Sequence, residues 1–217
     1  MALNITKSAL RYYSLYSYLK LILDFFLAIV LLLLLSPLVS LIVIILKISI
    51  RGNIFFIHER LGLNGKLFKL YKFRTMKYGR ANILNDYLLI HPEKKIEWNT
   101  NHKLKNDPRI TYFGKFLRDY SLDEIPQIFN ILKGDMSFIG PRPIVEKEVS
   151  KYGENFNLYK ECKPGLSGLW QVSGRNNTTY QERVDYDMYY IKNKSLLLDL
   201  KIFFKTIPVI LFKKGAY

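Results

Sequence analysis

The sequence contains few of the residues that build disulfides, histidine metal sites or acidic surfaces. Its 217 residues include one cysteine, Cys162, which excludes an internal disulfide and is expected to be a buried thiol. The three histidines, His58, His91 and His102, share no ligand spacing, which argues against a histidine-based metal site. Asp and Glu number 18 against 33 Lys and Arg, so the formal charge is +15. This balance favours polyanionic partners: nucleic acid, anionic lipid or phosphorylated small molecules.

Long apolar runs are equally scarce, since the sequence has one, at residues 21–48. The run is too long and too central for a signal peptide, and no small-residue cleavage site follows it. Roughly 27 helical residues reach about 40 Å, which exceeds the ~30 Å of bilayer hydrocarbon, so a tilted spanning helix is one interpretation.

Ser36 and Pro37, in the middle of this run, favour a second interpretation. Pro37 has no N–H to donate to the carbonyl of Leu33, and it biases Ser36 away from the helical region. The Ser36 hydroxyl can bond back to the carbonyl of Leu32. Lysines and arginines flank both ends of the run, and such residues favour the cytoplasmic side. A re-entrant helix that bends at Ser36-Pro37 satisfies both flanks, and a kinked spanning helix is the alternative.

The rest of the chain predicts an α+β, mainly helical fold. Residues 54–75 predict a β-hairpin around Asn64-Gly65, a strong turn dipeptide. Residues 111–117 predict a short amphipathic helix, and a helix from about Leu122 is expected to end before Gly134.

Residues 186–214 combine lysines with apolar residues, which predicts amphipathic helices at a membrane surface or against the domain. The sequence has no internal repeat and no low-complexity linker. We therefore divide it into a membrane-associated segment, 1–50, and a folded domain, 51–217.

The adjacent carboxylates Asp123 and Glu124 admit two interpretations. Ser121 and Glu124 fit a capping box, in which the serine caps a helix and the glutamate returns to its amide. Alternatively, neighbouring helical positions diverge by about 100°, which suits two separate tasks. A helix start also keeps a carboxylate ionised, as nucleophilic attack on phosphorus requires.

Basic residues lie in the motifs around this pair. Guanidinium groups suit phosphate oxygens, although each basic residue alone is also typical of a solvated or structural charge. Together with a membrane segment they indicate a phosphorylated substrate that meets a membrane partner. These residues are Lys72, Arg74, Arg118, Arg142 and Arg175.

The motifs resemble those of the bacterial sugar transferases, monotopic phosphoglycosyl transferases that act on polyprenol phosphate. The similar segments are ERLGLNGKLFKLYKFRTM (59–76), DPRIT (107–111), SLDEIPQIFNILKGDMSFIGPRP (121–143), PGLSGLWQVSGRN (164–176) and YDMYYI with LDLKI (186–202). They cover nearly the whole chain after residue 50, and Ser36-Pro37 resembles the break of the family's re-entrant helix. The chain lacks the extra N-terminal membrane bundle of larger members and resembles a minimal catalytic unit.

The resemblance implies transfer of hexose-1-phosphate from a UDP-sugar to undecaprenyl phosphate, with release of UMP, at the cytoplasmic face of the bacterial inner membrane. This is a first membrane step of polysaccharide or glycoconjugate synthesis. Asp123 is implied to be the nucleophile of a phosphosugar-enzyme intermediate, and Glu124 the partner of a required Mg²⁺. Asp187 matches a family acidic position without an assigned role. The implied substrate-binding residues are Lys72, Arg74, Arg118, Arg142, Gln171 and Arg175.

Two other functions compete with this one. A membrane-associated glycosyltransferase would move the sugar without its phosphate and release UDP. A membrane-anchored basic module would bind nucleic acid, but the basic and aromatic residues form no recognisable nucleic-acid reader, so no such partner is predicted. Membrane lipid is an expected partner, and a homodimer is allowed. Two stretches depart from the family pattern, Asp119-Tyr120 and Asn193-Lys194-Ser195.

Overall fold

The computed structural model describes residues 7–50, 52–77, 82–101, 104, 106–175 and 178–213. Within these ranges the fold is mainly helical with two small sheets, so the predicted α+β class is confirmed. The helices are α1 (Lys7–Ser49), α2 (Asn82–Ile90), α3 (Pro92–Asn101), α4 (Tyr112–Asp119), α5 (Gln127–Leu132), α6 (Val149–Tyr152), α7 (Phe156–Tyr159), α8 (Leu169–Ser173), α9 (Tyr180–Asn193) and α10 (Leu196–Leu211). The strands are β1 (Phe55–Leu61), β2 (Leu67–Phe73), β3 (Ser137–Ile139) and β4 (Gly165–Ser167).

Helix α1 contains the whole apolar run and continues through its centre. Ser36 and Pro37 lie inside the helix, so the predicted break does not end it, and the re-entrant path stays a prediction. Pro37 leaves the carbonyl of Leu33 without its usual amide donor, and Ser36 Oγ donates to that same carbonyl at 2.8 Å. The serine therefore compensates for the proline directly, using Leu33 as acceptor instead of the predicted Leu32.

One helix in the described ranges, Leu15–Ser49, is long and apolar enough to cross a membrane. Many of its large apolar side chains face away from the protein. Phe26, Leu33, Leu34 and Ile48 are 65–80% exposed. An apolar surface of this size is typical of a segment that contacts lipid.

The predicted β-hairpin is confirmed. Strands β1 and β2 pair antiparallel, with Leu61 opposite Leu67 beside the turn. At the turn, Asn64 (φ 58°) and Gly65 (φ 72°) take left-handed conformations, which Asn and Gly adopt more readily than other residues.

A buried side chain from α5 covers the other edge of β2. Asn130 is 0% exposed. Its Oδ1 accepts from the Tyr71 amide at 3.1 Å, and its Nδ2 donates to the Lys69 carbonyl at 2.7 Å. The side-chain amide thus takes the place of a third strand and satisfies backbone groups that would otherwise be buried without partners. It fixes β2, which carries Lys72, against α5.

Two hydrophobic clusters form the core, and α1 contributes to both. In the first, Ala28 is buried among side chains of β1, β2, α5, β3, α9 and α10. In the second, Ile42 and Leu46 pack with Phe73 of β2 and Leu117 of α4. The core therefore crosses the predicted boundary between residues 50 and 51, and the division into two parts stays a prediction.

Polar contacts tie the first half of α1 to the C-terminal helices. Lys20 Nζ lies 2.7 Å from Asp199 Oδ2, and both side chains are largely buried. The hydroxyls of Tyr16 and Tyr190 donate to the same carboxylate at 2.9 and 2.7 Å. Asp199 is thus satisfied by three donors at the junction of α1, α9 and α10.

The amphipathic C-terminal segment consists of α9 and α10. The departure at Asn193-Lys194-Ser195 lies at their junction, where Ser195 Oγ caps α10 by accepting from the Leu198 amide at 3.3 Å. Helix α10 buries Asp199 and Ile202 and exposes an apolar face. That face consists of Leu197, Leu200, Phe204, Ile207 and Leu211.

Candidate active site

The adjacent carboxylates lie in a short 3-10 turn, Leu122–Glu124, between α4 and α5. Helix α5 begins only at Gln127, so the helix predicted from Leu122 is split. Consecutive residues of a 3-10 turn diverge by about 120°, more than in an α-helix. The Asp123 side chain is 14% exposed and the Glu124 side chain is 32% exposed, so Asp123 is the more buried of the two.

The capping-box interpretation is wrong. Ser121 has a left-handed backbone (φ 56°, ψ 20°), and its side chain does not cap the turn. Its Oγ instead accepts from Arg175 Nη2 at 2.7 Å. Glu124 Oε1 accepts from Lys72 rather than from the Ser121 amide. The serine therefore anchors an arginine, and the glutamate belongs to the charged cluster.

Lys72 bridges the two carboxylates. Its Nζ lies 2.5 Å from Glu124 Oε1 and 3.9 Å from Asp123 Oδ2. Lys72 is on β2, which Asn130 fixes against α5, so its position is set by the sheet edge. A cation at this place offsets part of the repulsion between the two carboxylates.

Arg118 is the second cation near the pair. Its Nε donates to Thr75 Oγ1 at 2.8 Å. The Thr75 carbonyl accepts from the Thr111 amide at 3.0 Å. Gly114 also packs against this carbonyl, so closely that a Cβ added at position 114 would lie 2.1 Å from its oxygen. These contacts lock α4 onto the end of β2. Burial lowers the pKa of Arg118, and the charge of Asp123 opposes that effect.

Burial raises the pKa of Asp123 from 3.8 to about 6. Lys72 and Arg118 lower it, and Glu124 raises it further. The sequence predicted a carboxylate kept ionised by a helix start, but desolvation is the larger effect. The cations around it therefore decide how much of Asp123 is ionised near neutral pH.

We expect Lys72→Met to shift the acid side of the pH–activity profile upward by about one unit. An ionised nucleophile is needed, so activity should fall about tenfold per unit as pH drops below the pKa of Asp123. The positive charge of Lys72 lowers the pKa of Asp123 more than any other group does, so its removal should raise that pKa. The measurement is initial rate against pH. Lys69→Met is the matched control, because Lys69 is exposed on the same strand, and an equal shift in the control would contradict the assignment.

A groove of about 310 Å³ opens beside Glu124. Its walls are mostly apolar and come from α1, α5, β3, β4 and α10. Its polar lining residues include Ser121, Glu124, Gln171 and Arg175. Through Glu124 the groove places an apolar surface next to the charged cluster.

Arg142 packs against Trp170 of α8. Its guanidinium carbon is 5.0 Å from the centre of the Trp170 ring. Its amide donates to the Asp187 carboxylate at 3.2–3.3 Å, and the Tyr152 hydroxyl donates to the same carboxylate at 2.6 Å. Burial raises the pKa of Asp187 to about 7. Asp187, to which the sequence assigned no role, therefore holds the loop that carries Arg142.

Arg74 points toward strand β1. Its Nε donates to the Asn53 carbonyl at 2.6 Å, and its Nη2 donates to the Phe55 carbonyl at 3.2 Å. Its guanidinium also lies 5.9 Å from the Phe56 ring centre. These contacts give Arg74 a structural role at the start of the hairpin, and its predicted role in substrate binding stays a prediction.

Comparison with known proteins identifies the family. The family described as bacterial sugar transferase matches residues 15–213. The chain belongs to the bacterial sugar transferase family. The resemblance drawn from the motifs is thereby confirmed.

Relatives of this sugar transferase family member differ in length. Exopolysaccharide production protein ExoY of Rhizobium meliloti is 47% identical over 194 residues, which is 89% of this chain and 86% of the relative. Undecaprenyl-phosphate galactose phosphotransferase of Salmonella typhimurium is 51% identical over 160 residues, 74% of this chain but 34% of the relative. An uncharacterized sugar transferase of Haemophilus influenzae is 52% identical over 166 residues, 76% of this chain and 35% of the relative. The chain thus spans most of ExoY and about a third of the longer relatives.

The donor set suits a magnesium ion better than a closed metal cage. Among the residues described, no group of three or more His, Cys, Asp or Glu side chains is arranged to hold a metal. Magnesium is commonly held by one or two carboxylates together with substrate phosphates and water. Glu124 lines the groove and is partly exposed, so its carboxylate fits this pattern.

In this family member the structure brings most of the predicted site residues together. Lys72 and Arg118 surround the carboxylates, and Gln171 and Arg175 line the groove. The sequence analysis missed Asn130, whose signal was a polar amide between the apolar residues Phe129 and Ile131. It also missed the anchoring role of Ser121, because its backbone conformation cannot be read from the S-x-x-E spacing.

Proposed function

We propose that this chain transfers a sugar 1-phosphate from a UDP-sugar to undecaprenyl phosphate and releases UMP, by way of a phosphosugar–Asp123 intermediate. The observation that carries the proposal is a largely buried carboxylate, Asp123, that lies near the charges of Lys72 and Arg118 and next to Glu124, which lines an apolar groove. Such a site suits a charged reaction centre that meets a lipid. The names of the relatives, which include an undecaprenyl-phosphate galactose phosphotransferase, support the same reaction.

In the first half-reaction an Asp123 oxygen attacks the phosphorus that carries the sugar. The new O–P bond forms as the bond from phosphorus to the bridging oxygen breaks, and that oxygen leaves with the electron pair as part of UMP. Lys72, 3.9 Å from Asp123, and Arg118 offset the charge of the approaching diphosphate. Because Asp123 is largely buried, water is kept from the carboxylate.

In the second half-reaction a phosphate oxygen of undecaprenyl phosphate attacks the same phosphorus. The bond to Asp123 breaks, and the carboxylate is restored. The groove supports binding of this acceptor, because its apolar walls on α1 and α10 suit isoprenoid units and its lining also includes the polar side chains of Glu124, Gln171 and Arg175.

The packing of α1 supports attachment to one face of the membrane. The domain contacts α1 near Lys20, through Asp199, and again near Leu46, in the second core cluster. These positions are roughly 39 Å apart along a straight helix. A helix placed straight across the bilayer would carry the charged site into hydrocarbon, which is costly. We therefore propose a monotopic arrangement with the domain on the cytoplasmic side, tested by whether both ends of α1 can be labelled from that side.

We propose Mg²⁺ as the cofactor, held by Glu124 and the phosphates of the donor. When bound, the ion would neutralise charge on the diphosphate. Lys72 Nζ donates a hydrogen bond to Glu124 Oε1 and so positions that carboxylate in the groove.

Glu124→Gln should raise the Mg²⁺ concentration for half-maximal activity at least about tenfold, because an amide is a weaker magnesium ligand than a carboxylate. The measurement is a magnesium titration at saturating UDP-sugar. Glu146→Gln, which removes an exposed carboxylate from another 3-10 turn, should leave the titration unchanged. An unaltered titration for Glu124→Gln would place the metal elsewhere.

Identification of the nucleotide product decides between the competing enzymes. A panel of UDP-sugars is incubated with the full chain and undecaprenyl phosphate, and the nucleotides are separated. Release of UMP supports the proposal, and release of UDP supports a glycosyltransferase. The donor that gives UMP also identifies the sugar.

A further inference from the structure

Ser121 has a backbone conformation that serine seldom adopts. Helix α4 ends at Asp119, and the Ser121 amide donates to the Arg118 carbonyl at 3.1 Å just after that end. The left-handed conformation of Ser121 (φ 56°, ψ 20°) follows many helices, and glycine is the usual residue there because it has no Cβ. A serine at this position has a backbone cost that glycine would avoid. The group that glycine would lack is the hydroxyl.

The Ser121 hydroxyl connects two segments of the groove wall. Its Oγ accepts from Arg175 Nη2 at 2.7 Å, although 54 positions separate the two residues. Ser121 and Arg175 both line the groove, as does Glu124. The bond runs from the segment just before Asp123 to the segment just after α8. It therefore fixes the Arg175 side chain relative to the turn that carries the carboxylates.

Arg175 also has a left-handed backbone, with φ 53°. Thr178 holds this turn, since its Oγ1 donates to the Arg175 carbonyl at 2.7 Å. Arg183 of α9 holds Thr178 in turn, because its Nε donates to Thr178 Oγ1 and its Nη2 to the Thr178 carbonyl, both at 3.2 Å. Non-glycine residues in this conformation are uncommon and persist where surrounding contacts hold them, often at functional sites. The Ser121–Arg175 bond joins two such residues.

We infer that Ser121 is a positioning residue, which orients the Arg175 guanidinium in the groove and so sets the affinity for the lipid acceptor. The inference rests on the proposed function, because the apolar walls of α1 and α10 suit the isoprenoid chain of that acceptor. A hydroxyl is neutral, so this contact orients the guanidinium without neutralising its charge, as a carboxylate would. A guanidinium oriented in this way favours an anionic lipid in the groove.

The test compares Ser121→Gly with the wild type, both as the full chain in the same detergent. Glycine adopts the same backbone conformation and lacks the hydroxyl, so the Tm should change by no more than about 3 °C. The KM for undecaprenyl phosphate, measured by UMP release at saturating UDP-sugar, should rise about tenfold, as for loss of a hydrogen bond to a charged group. The KM for the UDP-sugar should rise less than about threefold, because Lys72 and Arg118 remain near Asp123.

Ser173→Gly is the matched control. Ser173 is exposed at the end of α8 and lies outside the groove lining, so both KM values should equal those of the wild type. The double variant Ser121→Gly with Arg175→Gln tests whether the serine acts through the arginine. In that case, adding Ser121→Gly to Arg175→Gln should change the acceptor KM by less than about twofold.

Three results would overturn the inference while the wild type releases UMP. The first is an acceptor KM that Ser121→Gly leaves unchanged. The second is full multiplication of the two single effects in the double variant, which would make Ser121 independent of Arg175. The third is a Tm lowered by more than about 6 °C, which would give the Ser121 hydroxyl a structural role. A wild type that releases no UMP would instead contradict the proposed function itself.

Discussion

Asp123→Asn is expected to lower turnover at least about a thousandfold, because the amide cannot supply the carboxylate oxygen that attacks phosphorus. The sugar-phosphate adduct should also disappear. The measurement pairs UMP release with mass spectrometry of the full chain, quenched after mixing with UDP-sugar in the absence of the lipid acceptor. The wild type should gain the mass of a sugar phosphate, and the variant should not.

The same variant should be at least as stable as the wild type. The pKa of Asp123 is raised from 3.8 to about 6, so the folded protein binds its proton more tightly than the unfolded chain. Its contribution to stability is therefore lost as pH rises from 3.8 to about 6, and at neutral pH ionisation of Asp123 opposes folding. A neutral asparagine removes that cost. Inactivity together with a lowered Tm would indicate a structural role, and an adduct on the variant would exclude Asp123 as the nucleophile.

Asn130→Ala should lower the free energy of unfolding by about 3 kcal/mol, because it leaves the Tyr71 amide and Lys69 carbonyl without partners. For a chain of this length the Tm should fall by about 10 °C. Activity should fall as well, since β2 carries the Lys72 that bridges the carboxylates. Thermal unfolding of the two proteins in the same detergent measures the first effect.

Asn193→Ala is the control for this substitution. Asn193 is exposed, and its side chain makes a local bond, Nδ2 to the Tyr189 carbonyl at 2.8 Å. Its loss should change stability by no more than about 0.5 kcal/mol. If Asn130→Ala were as mild as Asn193→Ala, the side chain could not be acting as a substitute strand.

The sequence predicted those parts of the fold that depend on local chemistry. Asn64 and Gly65 specify the hairpin because few other residues adopt their backbone conformations, and the spacing of apolar residues specifies α4. The motif resemblance predicted the carboxylates and most of the surrounding cations. These features are encoded within a few neighbouring residues.

Features that depend on contacts between distant residues were not predictable in the same way. The S-x-x-E spacing fits a capping box, but Arg175, 54 positions away, binds Ser121 Oγ, and Lys72, 52 positions away, binds Glu124. Burial of Asp123, which sets its pKa, likewise results from tertiary packing. Local patterns identify the candidate residues, and long-range packing decides what each of them does.

Because Ala28 and Leu46 of α1 are fully buried in the two core clusters, the lipid-facing helix is also part of the framework of the catalytic domain. A fragment without α1 would expose both clusters to water and lose the wall of the groove formed by Leu31 and Leu35. A water-soluble version of the enzyme therefore cannot be obtained by removing its anchor. The helix that would hold the chain in the bilayer is thus needed for folding of the site, and under the proposed function this keeps the site where a lipid substrate would be found.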